Sequence, residues 1–326
     1  MQKQMKAIEY TRYGSPEVLH LKDMPIPTPG ANEVLIRIHA STATAADIMM
    51  RKGDPYIGRL YTGLKGPKRT IPGFEFAGEV VETGSAVTLF KVGDKVFGGT
   101  TTLGCYAEYA CVSETDVLTT MPDNISYAEA APVNGSAITV MNFLKGLGNI
   151  QKGQRVLING ASGGLGTYAI QIAKFYGAEV TGVCSTKNMA MVRSLGADHV
   201  IDYTREDFTK SGLQYDIIFD TLGRRSFGDC KKALTTDGIY LSAVMNLPLL
   251  FHMLWSKVWG TKKAKVSATG LLPVHDRLAY FMELKEMLRT SKIRTVIDAC
   301  YPLAQVAAAH TYVETGRKRG SIVISI

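Results

Sequence analysis

Residues 156–174 read VLINGASGGLGTYAIQIAK, an apolar β run, a glycine-rich turn and an unbroken helical pattern in immediate succession. Val156, Leu157 and Ile158 suit a strand buried on both faces of a parallel sheet. The turn is Ala161-Ser162-Gly163-Gly164-Leu165-Gly166, and the helical pattern runs on over 165–176. Strand, turn and helix in this order are what a dinucleotide-binding βαβ unit requires. Small residues at 161, 163 and 166 permit a tight turn, close approach of backbone to a pyrophosphate, and close helix–strand packing. The free N–H groups at the helix start then face the phosphates. A glycine-rich turn alone arises wherever a βα turn needs positive φ, but the flanking strand and helix favour the binding reading.

Working downstream, β runs alternate with helical stretches: EVTGVCS (179–185), NMAMVRSLG (188–196), DHVIDY (198–203), YDIIFDTLG (215–223) and GIYLSAV (238–244). With VLING these make five apolar strands of a doubly wound parallel α/β sheet. Ligands lie at the carboxyl ends of such strands, which brings Leu222 in Asp220-Thr221-Leu222-Gly223 and Val244 in Ser242-Ala243-Val244 alongside the dinucleotide. At the end of the second strand, NAD-preferring proteins place Asp or Glu against the ribose 2′-hydroxyl. Here the segment is Gly182-Val183-Cys184-Ser185-Thr186-Lys187-Asn188, without a carboxylate. Ser185 can donate to a 2′-phosphate and Lys187 supplies charge, so NADPH is the expected cofactor. The plainer alternative makes Lys187 a solvated cation in the first turn of a helix.

Upstream, residues 1 to 120 read as short strands and glycine turns, among them LIRIHAS (35–41), FAGEVVETGS (76–85), KVGDKVFG (91–98) and AEYACVS (107–113), which predict a small β-barrel. SYAEAAPVNGSAITVMNFL (126–144) begins the helical pattern. The tail from residue 295 returns to strand, helix, strand and is expected to fold back onto the first module. The expected division is 1–124 with 269–326 for the barrel, and 125–268 for the parallel sheet.

The chain has 326 residues, 46% of them hydrophobic, enough for a substantial core in two domains. It begins without a signal-type apolar core and holds no run of about 18 apolar residues, so a cytoplasmic protein is expected. Five cysteines without CxxC spacing indicate reduced thiols rather than a zinc knuckle or a disulfide framework. The excess of 37 basic over 29 acidic residues is spread along the chain. Lys65/Lys68/Arg69, Lys262/Lys263/Lys265 and Arg317/Lys318/Arg319 lack interleaved aromatics, and no nucleic acid is expected as a partner. In residues 244–259, Asn246, Pro248, His252, Ser256 and Lys257 interrupt an apolar run that holds Trp255 and Trp259. A subunit interface, a lid or a wall for an apolar substrate is favoured there over weak membrane contact along a basic edge.

The ordered set GFEFAGEVVETG (73–84), VGDKVFG (92–98), CYAEYA (105–110), GASGGLG (160–166), SLGADHVIDY (194–203), FDTLG (219–223) and ETGRKRGSIVI (314–324) resembles the medium-chain dehydrogenase/reductase superfamily, and within it the zinc-independent quinone oxidoreductase branch. The similarity spans nearly the whole chain, with 245–268 the least typical part. It implies a GroES-like barrel, a nested Rossmann domain, commonly a homodimer, and hydride transfer from a nicotinamide to a carbonyl or activated double bond. Zinc-dependent relatives supply three ligands at positions held here by Thr44, Phe74 and Gly135, none a good zinc ligand, so no metal is expected. His39, inside LIRIHAS, is read as a strand residue. The resemblance also implies that Thr139 contacts the nicotinamide carboxamide, that Tyr203 lines the adenosine phosphate pocket and that Ser321 approaches the cofactor. Tyr56 resembles a proton donor of related enoyl reductases, one residue further from Asp47. Thr44 stands where many quinone and enone reductases carry Asn. These two are the candidate catalytic residues, with Tyr56 as a loop aromatic packed over the cleft left open as an equal alternative. The expected activity is zinc-independent reduction of a small apolar quinone or α,β-unsaturated carbonyl. A zinc-free alcohol dehydrogenase is one rival, and an NADPH-binding regulatory, membrane-associated or RNA-binding protein with little turnover is another.

Overall fold

The computed structural model describes residues 3–258 and 260–326, with the side chains of Ile57, Tyr61 and residues 254–258 outside that description. Contacts divide the chain into two units: residues 1–135 with 274–289 and 295–326, and residues 136–273 with 290–294. The borders at 135/136 and 273/274 stand where the sequence predicts 124/125 and 268/269.

In the first unit, β1 (Gln4–Glu9) and β2 (His20–Pro25) pair as an antiparallel ribbon. A larger sheet holds β3 (Glu33–Thr42), β4 (Glu75–Thr83), β5 (Lys95–Gly99), β6 (Tyr109–Ser113) and β7 (Val117–Thr120). Alternate residues of β3, Val34, Ile36 and Ile38, enter a core with Phe76, Val80, Val96 and Val112. This is the period of two that a half-buried strand imposes. His39 lies in β3, its ring stacked on Tyr127 at 4.4 Å.

The helix Ala45–Lys52 buries a charged side chain, Arg51, which is 1% exposed. Its guanidinium donates to Gly14 O (3.0 Å), pairs with Glu314, and lies 3.2 Å from His310 Nδ1. His310 Nε2 meets Tyr106 Oη at 3.1 Å, and that hydroxyl donates to Thr42 O at 2.8 Å. Burial, reinforced by Arg51, pushes the His310 pKa down to about 3, so the imidazole is neutral.

The second unit is a wholly parallel sheet of β8 (Arg155–Asn159), β9 (Glu179–Cys184), β10 (His199–Asp202), β11 (Tyr215–Asp220), β12 (Leu234–Ser242) and β13 (Lys263–Val266), in the order β10-β9-β8-β11-β12-β13. The order reverses between β8 and β11, the switch point at which open α/β sheets bind ligands. The sequence predicts five strands here, and the structure has six. β13 is reached from β12 through the helix Leu247–Val258, whose Leu249 enters the core with Phe227, Tyr240 and Ala264. A parallel pair needs such a crossover. The apolar segment therefore forms the last βαβ unit of this sheet, although Leu247 and Phe251 remain exposed. Trp259 lies outside the described residues.

The basic cluster beside it is also reassigned. Lys262 Nζ donates to the carbonyls of Lys231 (2.7 Å) and Leu234 (2.8 Å), Lys263 Nζ to Gly260 O (2.6 Å), and Lys265 Nζ to Leu147 O (2.7 Å). These ammonium groups cap backbone carbonyls around the sheet instead of forming a free basic edge.

The tail rejoins the first unit as β14 (Ile297–Pro302), the helix Val306–Glu314 and β15 (Ser321–Ser325). β15 pairs in parallel with β14 and antiparallel with the Ala40–Thr42 end of β3.

Candidate functional site

The glycine turn leaves β8 at Asn159. Gly160 takes φ +84°, and a side chain there would run into Thr221 Oγ1 at 2.4 Å and Leu222 Cγ at 2.7 Å. Gly160 and Ala161 both donate to Val183 O, fastening the turn to β9. Gly163 is the N-cap of the helix Gly164–Phe175 and offers no side-chain cap. The N–H groups of Gly164, Leu165 and Gly166 therefore lack helical carbonyl partners, the condition for anion binding at a helix start. Gly166 is required by packing: a Cβ would lie 2.2 Å from Gly160 O and 2.6 Å from Ala161 C.

Asp220, wholly buried at the end of β11, organises the neighbouring loop. Its Oδ1 accepts from Asn159 Nδ2 and Leu222 N at 3.0 Å and from Gly223 N at 3.1 Å. Its Oδ2 accepts from Arg225 N at 3.0 Å and Tyr240 Oη at 3.1 Å. The first of these bonds crosses the switch point between β8 and β11. The Val244 N–H is held as well, donating to Ser242 Oγ at 3.2 Å, and the Val244 side chain packs where a Cβ on Gly223 would stand. The structure thus brings together the 160–166 turn, Leu222 and Val244 at the carboxyl ends of β8, β11 and β12.

At the end of β9, Ser185 is half-buried and Lys187 is exposed, with no ion pair among the described residues. Asp202, opposite Cys184 at the end of the neighbouring strand β10, is already engaged. Oδ2 accepts from Thr186 Oγ1, and Oδ1 accepts from Thr204 N (3.0 Å) and Oγ1 (2.7 Å). These donors, Thr186 first, hold its carboxyl below the usual range. Tyr203 is 57% exposed, and its backbone N–H donates to Cys184 O. Thr139 is half-buried in a short α turn, Ile138–Met141, between the π-helical turns Val133–Ala137 and Asn142–Leu147. The sequence reads as helix-like over 126–144, without marking these π turns. π turns of this kind often mark functional sites.

In the first unit, Thr44 is the N-cap of the helix Ala45–Lys52. Its Oγ1 donates to Asp47 Oδ2, its N–H donates to the same oxygen at 2.9 Å, and Asp47 N donates back to Thr44 Oγ1 at 3.3 Å. This reciprocal box commits the Thr44 hydroxyl proton to Asp47. Asp47 is buried, which raises its pKa to about 6. Tyr56 is 69% exposed, with the Arg59 guanidinium 4.4 Å from its ring centre and 4.6 Å from that of Tyr13. Arg59 is itself anchored by Nε, which donates to Gly53 O at 2.9 Å. Ser321 is buried at the start of β15, its N–H donating to Val296 O at 2.8 Å.

The residues at the three positions of zinc ligands do not fit the metal. The Thr44 hydroxyl serves Asp47, and Phe74 has no donor. At Gly135 the space for a side chain is occupied: a Cβ would stand 1.6 Å from Glu75 Oε1. Glu75 is buried, accepts from Thr42 Oγ1 and from the Gly135 N–H, and has its pKa raised to about 8, chiefly by burial. At neutral pH it is a protonated acid rather than an anionic ligand. No group of three His, Cys, Asp or Glu able to hold a metal occurs among the described residues.

Four features were not singled out from the sequence: Gly160, Asn188, and the carboxylates Asp220 and Glu75. An Asn-Gly pair closing a β run signals positive φ, and Gly160 was legible on that ground. The other three each have at least one partner distant in sequence: Asn159 for Asp220, Ser162 for Asn188 and Thr42 for Glu75.

A family model described as alcohol dehydrogenase GroES-like domain matches residues 30–123, and one described as zinc-binding dehydrogenase matches residues 195–324. The chain is 32% identical to the chloroplastic quinone-oxidoreductase homolog of Spinacia oleracea, over 99% of this chain and 98% of that protein. It is 31% identical to the chloroplastic NADPH-dependent alkenal/one oxidoreductase of Arabidopsis thaliana, over 99% of this chain and 80% of that one. Among solved structures, the quinone oxidoreductase of Coxiella burnetii superposes with a TM-score of 0.87 at 29% identity, covering 99% of this chain and 100% of that one. No helix among the described residues is long and apolar enough to cross a membrane.

Proposed function

Because the chain belongs to the medium-chain dehydrogenase/reductase superfamily, in its zinc-independent quinone oxidoreductase-like branch, and is an oxidoreductase of the kind that uses a nicotinamide dinucleotide, we propose that it reduces a small apolar quinone or α,β-unsaturated carbonyl with NADPH in the cytoplasm. The observation that carries the choice of dinucleotide is the loop after β9: Lys187 is exposed, and the Asp202 carboxylate is occupied by Thr186 and Thr204. A 2′-phosphate there meets a cation, whereas a ribose diol finds no free carboxylate.

The bound nicotinamide supplies the hydride. The N–H groups of Gly164, Leu165 and Gly166 hold the pyrophosphate, Leu222 and Val244 give an apolar edge to the dinucleotide, and Thr139 orients the carboxamide. Ser321 is assigned to the cofactor, and Tyr203 to its adenosine phosphate. Reduction of the acceptor leaves an oxyanion or enolate that needs a proton, and with no Lewis acid a side chain or water must deliver it. Tyr56 is the donor: its exposed phenol recovers a proton from solvent, and Arg59 holds its ring. Thr44, its proton given to Asp47, positions the acceptor instead of protonating it.

NADPH oxidation, followed by absorbance across quinones, enones and aldehydes with a chelator present, tests the reading. Turnover of a quinone or enone is expected. Tight NADPH binding without oxidation by any acceptor would instead support a purely binding role. Tyr56→Phe is expected to lower kcat on an enone by roughly 100-fold with little change in NADPH affinity; full turnover would remove Tyr56 as the acid. Lys187→Ala is expected to weaken NADPH binding about tenfold and leave NADH binding unaltered. An unchanged ratio of the two affinities would take Lys187 out of the site.

A further inference from the structure

Asn188 is a buried polar side chain, 6% exposed, to which the hydride-transfer reading gives no task. Its Nδ2 donates to Ser162 Oγ in the glycine turn at 3.0 Å and to Ser185 Oγ beyond β9 at 3.3 Å. Its Oδ1 is buried without a hydrogen-bond partner. An amide NH2 has two protons and accepts nothing, so both serine oxygens are acceptors toward Asn188. A hydroxyl that accepts in this way keeps its own proton for another group. Neither serine hydroxyl has a further partner among the described residues. The reversed amide would bury two unpaired N–H protons in place of one carbonyl oxygen, a rarer and costlier arrangement.

Two loops therefore present hydroxyls of the same polarity, both donors, and the loop after β9 also carries the exposed Lys187. Such a site matches a ligand whose oxygens only accept, as those of a phosphate monoester dianion do. A ribose 2′-hydroxyl can use only the one lone pair left on each serine oxygen and brings no charge, so it takes less from this site than a dianion does. We propose that Asn188 is a positioning residue for dinucleotide selectivity, holding Ser162 and Ser185 as a matched pair of donors to the 2′-phosphate of NADPH. This rests on the NADPH reading above and adds to it a residue that acts through two others.

The test is the ratio of NADPH to NADH dissociation constants, measured by titration calorimetry on the full chain. The wild type is expected to prefer NADPH. Asn188→Ala is expected to lower that preference ~10-fold, and Asn188→Asp ~100-fold, because a carboxylate draws both serine protons inward and repels the phosphate. NADH affinity should stay within about threefold in both, a readout that a merely structural loss would not spare. In a Ser162→Ala/Ser185→Ala background, Asn188→Ala should change the ratio no further. A ratio within twofold of wild type for Asn188→Ala, or equal losses for both dinucleotides, would overturn the positioning role. A wild type that binds NADH as tightly as NADPH would instead overturn the NADPH reading on which it rests.

Discussion

Gly166→Ala is expected to destabilise the dinucleotide unit by roughly 3 kcal/mol or more, while Gly163→Ala keeps stability within about 1 kcal/mol and loses cofactor affinity. The two glycines stand in one turn but answer to different neighbours. A methyl on Gly166 would press on Gly160 O at 2.2 Å and on Ala161 Cα at 2.7 Å, backbone atoms that cannot swing aside. Helix and strand would have to separate, and the turn is tied to β9 through the Gly160 and Ala161 N–H groups. At Gly163 the nearest atom to a Cβ is Gly160 O at 3.5 Å, an ordinary contact, and φ −84°, ψ 179° is open to any residue. Nothing among the described residues of this unit requires glycine there, so a Gly163 variant reports on the ligand rather than on the packing. A methyl at the uncapped helix start would keep the pyrophosphate from the N–H groups, and a ~10-fold or greater rise in the NADPH dissociation constant is expected. Thermal melts and cofactor titrations of both variants decide the matter. Undiminished NADPH binding by Gly163→Ala would place the pyrophosphate elsewhere, and an unchanged melting temperature for Gly166→Ala would contradict the packing.

The second large effect concerns pH. Glu75 has its folded pKa raised from 4.5 to about 8, first by burial and then by Asp47, with Thr42, the Gly135 N–H and Lys318 acting in the opposite sense. Below pH 4.5 the carboxyl is protonated in both folded and unfolded chains and its contribution to stability is complete. Above that the unfolded chain ionises while the folded one still holds its proton, so stability falls as pH rises, until the folded group ionises near pH 8. The loss is on the order of 4 kcal/mol at pH 9. His310 has the opposite sign: its folded pKa of about 3 lies below the ordinary 6.5, so its contribution is present above pH 6.5 and is lost as pH falls toward 3. Glu75→Gln removes the alkaline loss and is expected to be less stable than or equal to wild type at pH 5 but more stable at pH 9. Chemical denaturation across that range measures it. A wild type and Glu75→Gln that lose stability in parallel above pH 7 would show that Glu75 ionises freely in the folded chain.

The parts of the fold that could be read from sequence are those governed by local periodicity. The strand, turn and helix at 156–174, the alternation of β runs with helices, and the return of the tail all follow from residues adjacent in the chain. β13 escaped notice because Lys263–Val266 is short and carries two lysines, whose ammonium groups the structure turns onto carbonyls. Helical periodicity over 126–144 concealed two π turns, since a single added residue per turn hardly alters the pattern. Side-chain complementarity was the least legible level. Gly135 looks like a lost ligand until Glu75 is seen filling its place, and Thr44 looks like a catalytic hydroxyl until Asp47 is seen holding its proton. Asn188 joins Ser162 to Ser185 across a β turn and a strand, a pairing that no spacing rule announces.

The pairing of β15 with β3 bears on how the polypeptide is made. Residues 136–273 form a nearly continuous stretch, and their sheet has all six strands once β13 has left the ribosome. The barrel-forming unit is in a different position, because one of the two neighbours of the Ala40–Thr42 end of β3 is β15, which is synthesised after the parallel sheet. During translation that strand end pairs with β4 on one side, while its other edge waits unpaired as the entire parallel sheet is produced. Long waits of this kind expose a nascent chain to mispairing and to chaperones, so the later-encoded unit is the one free to mature first.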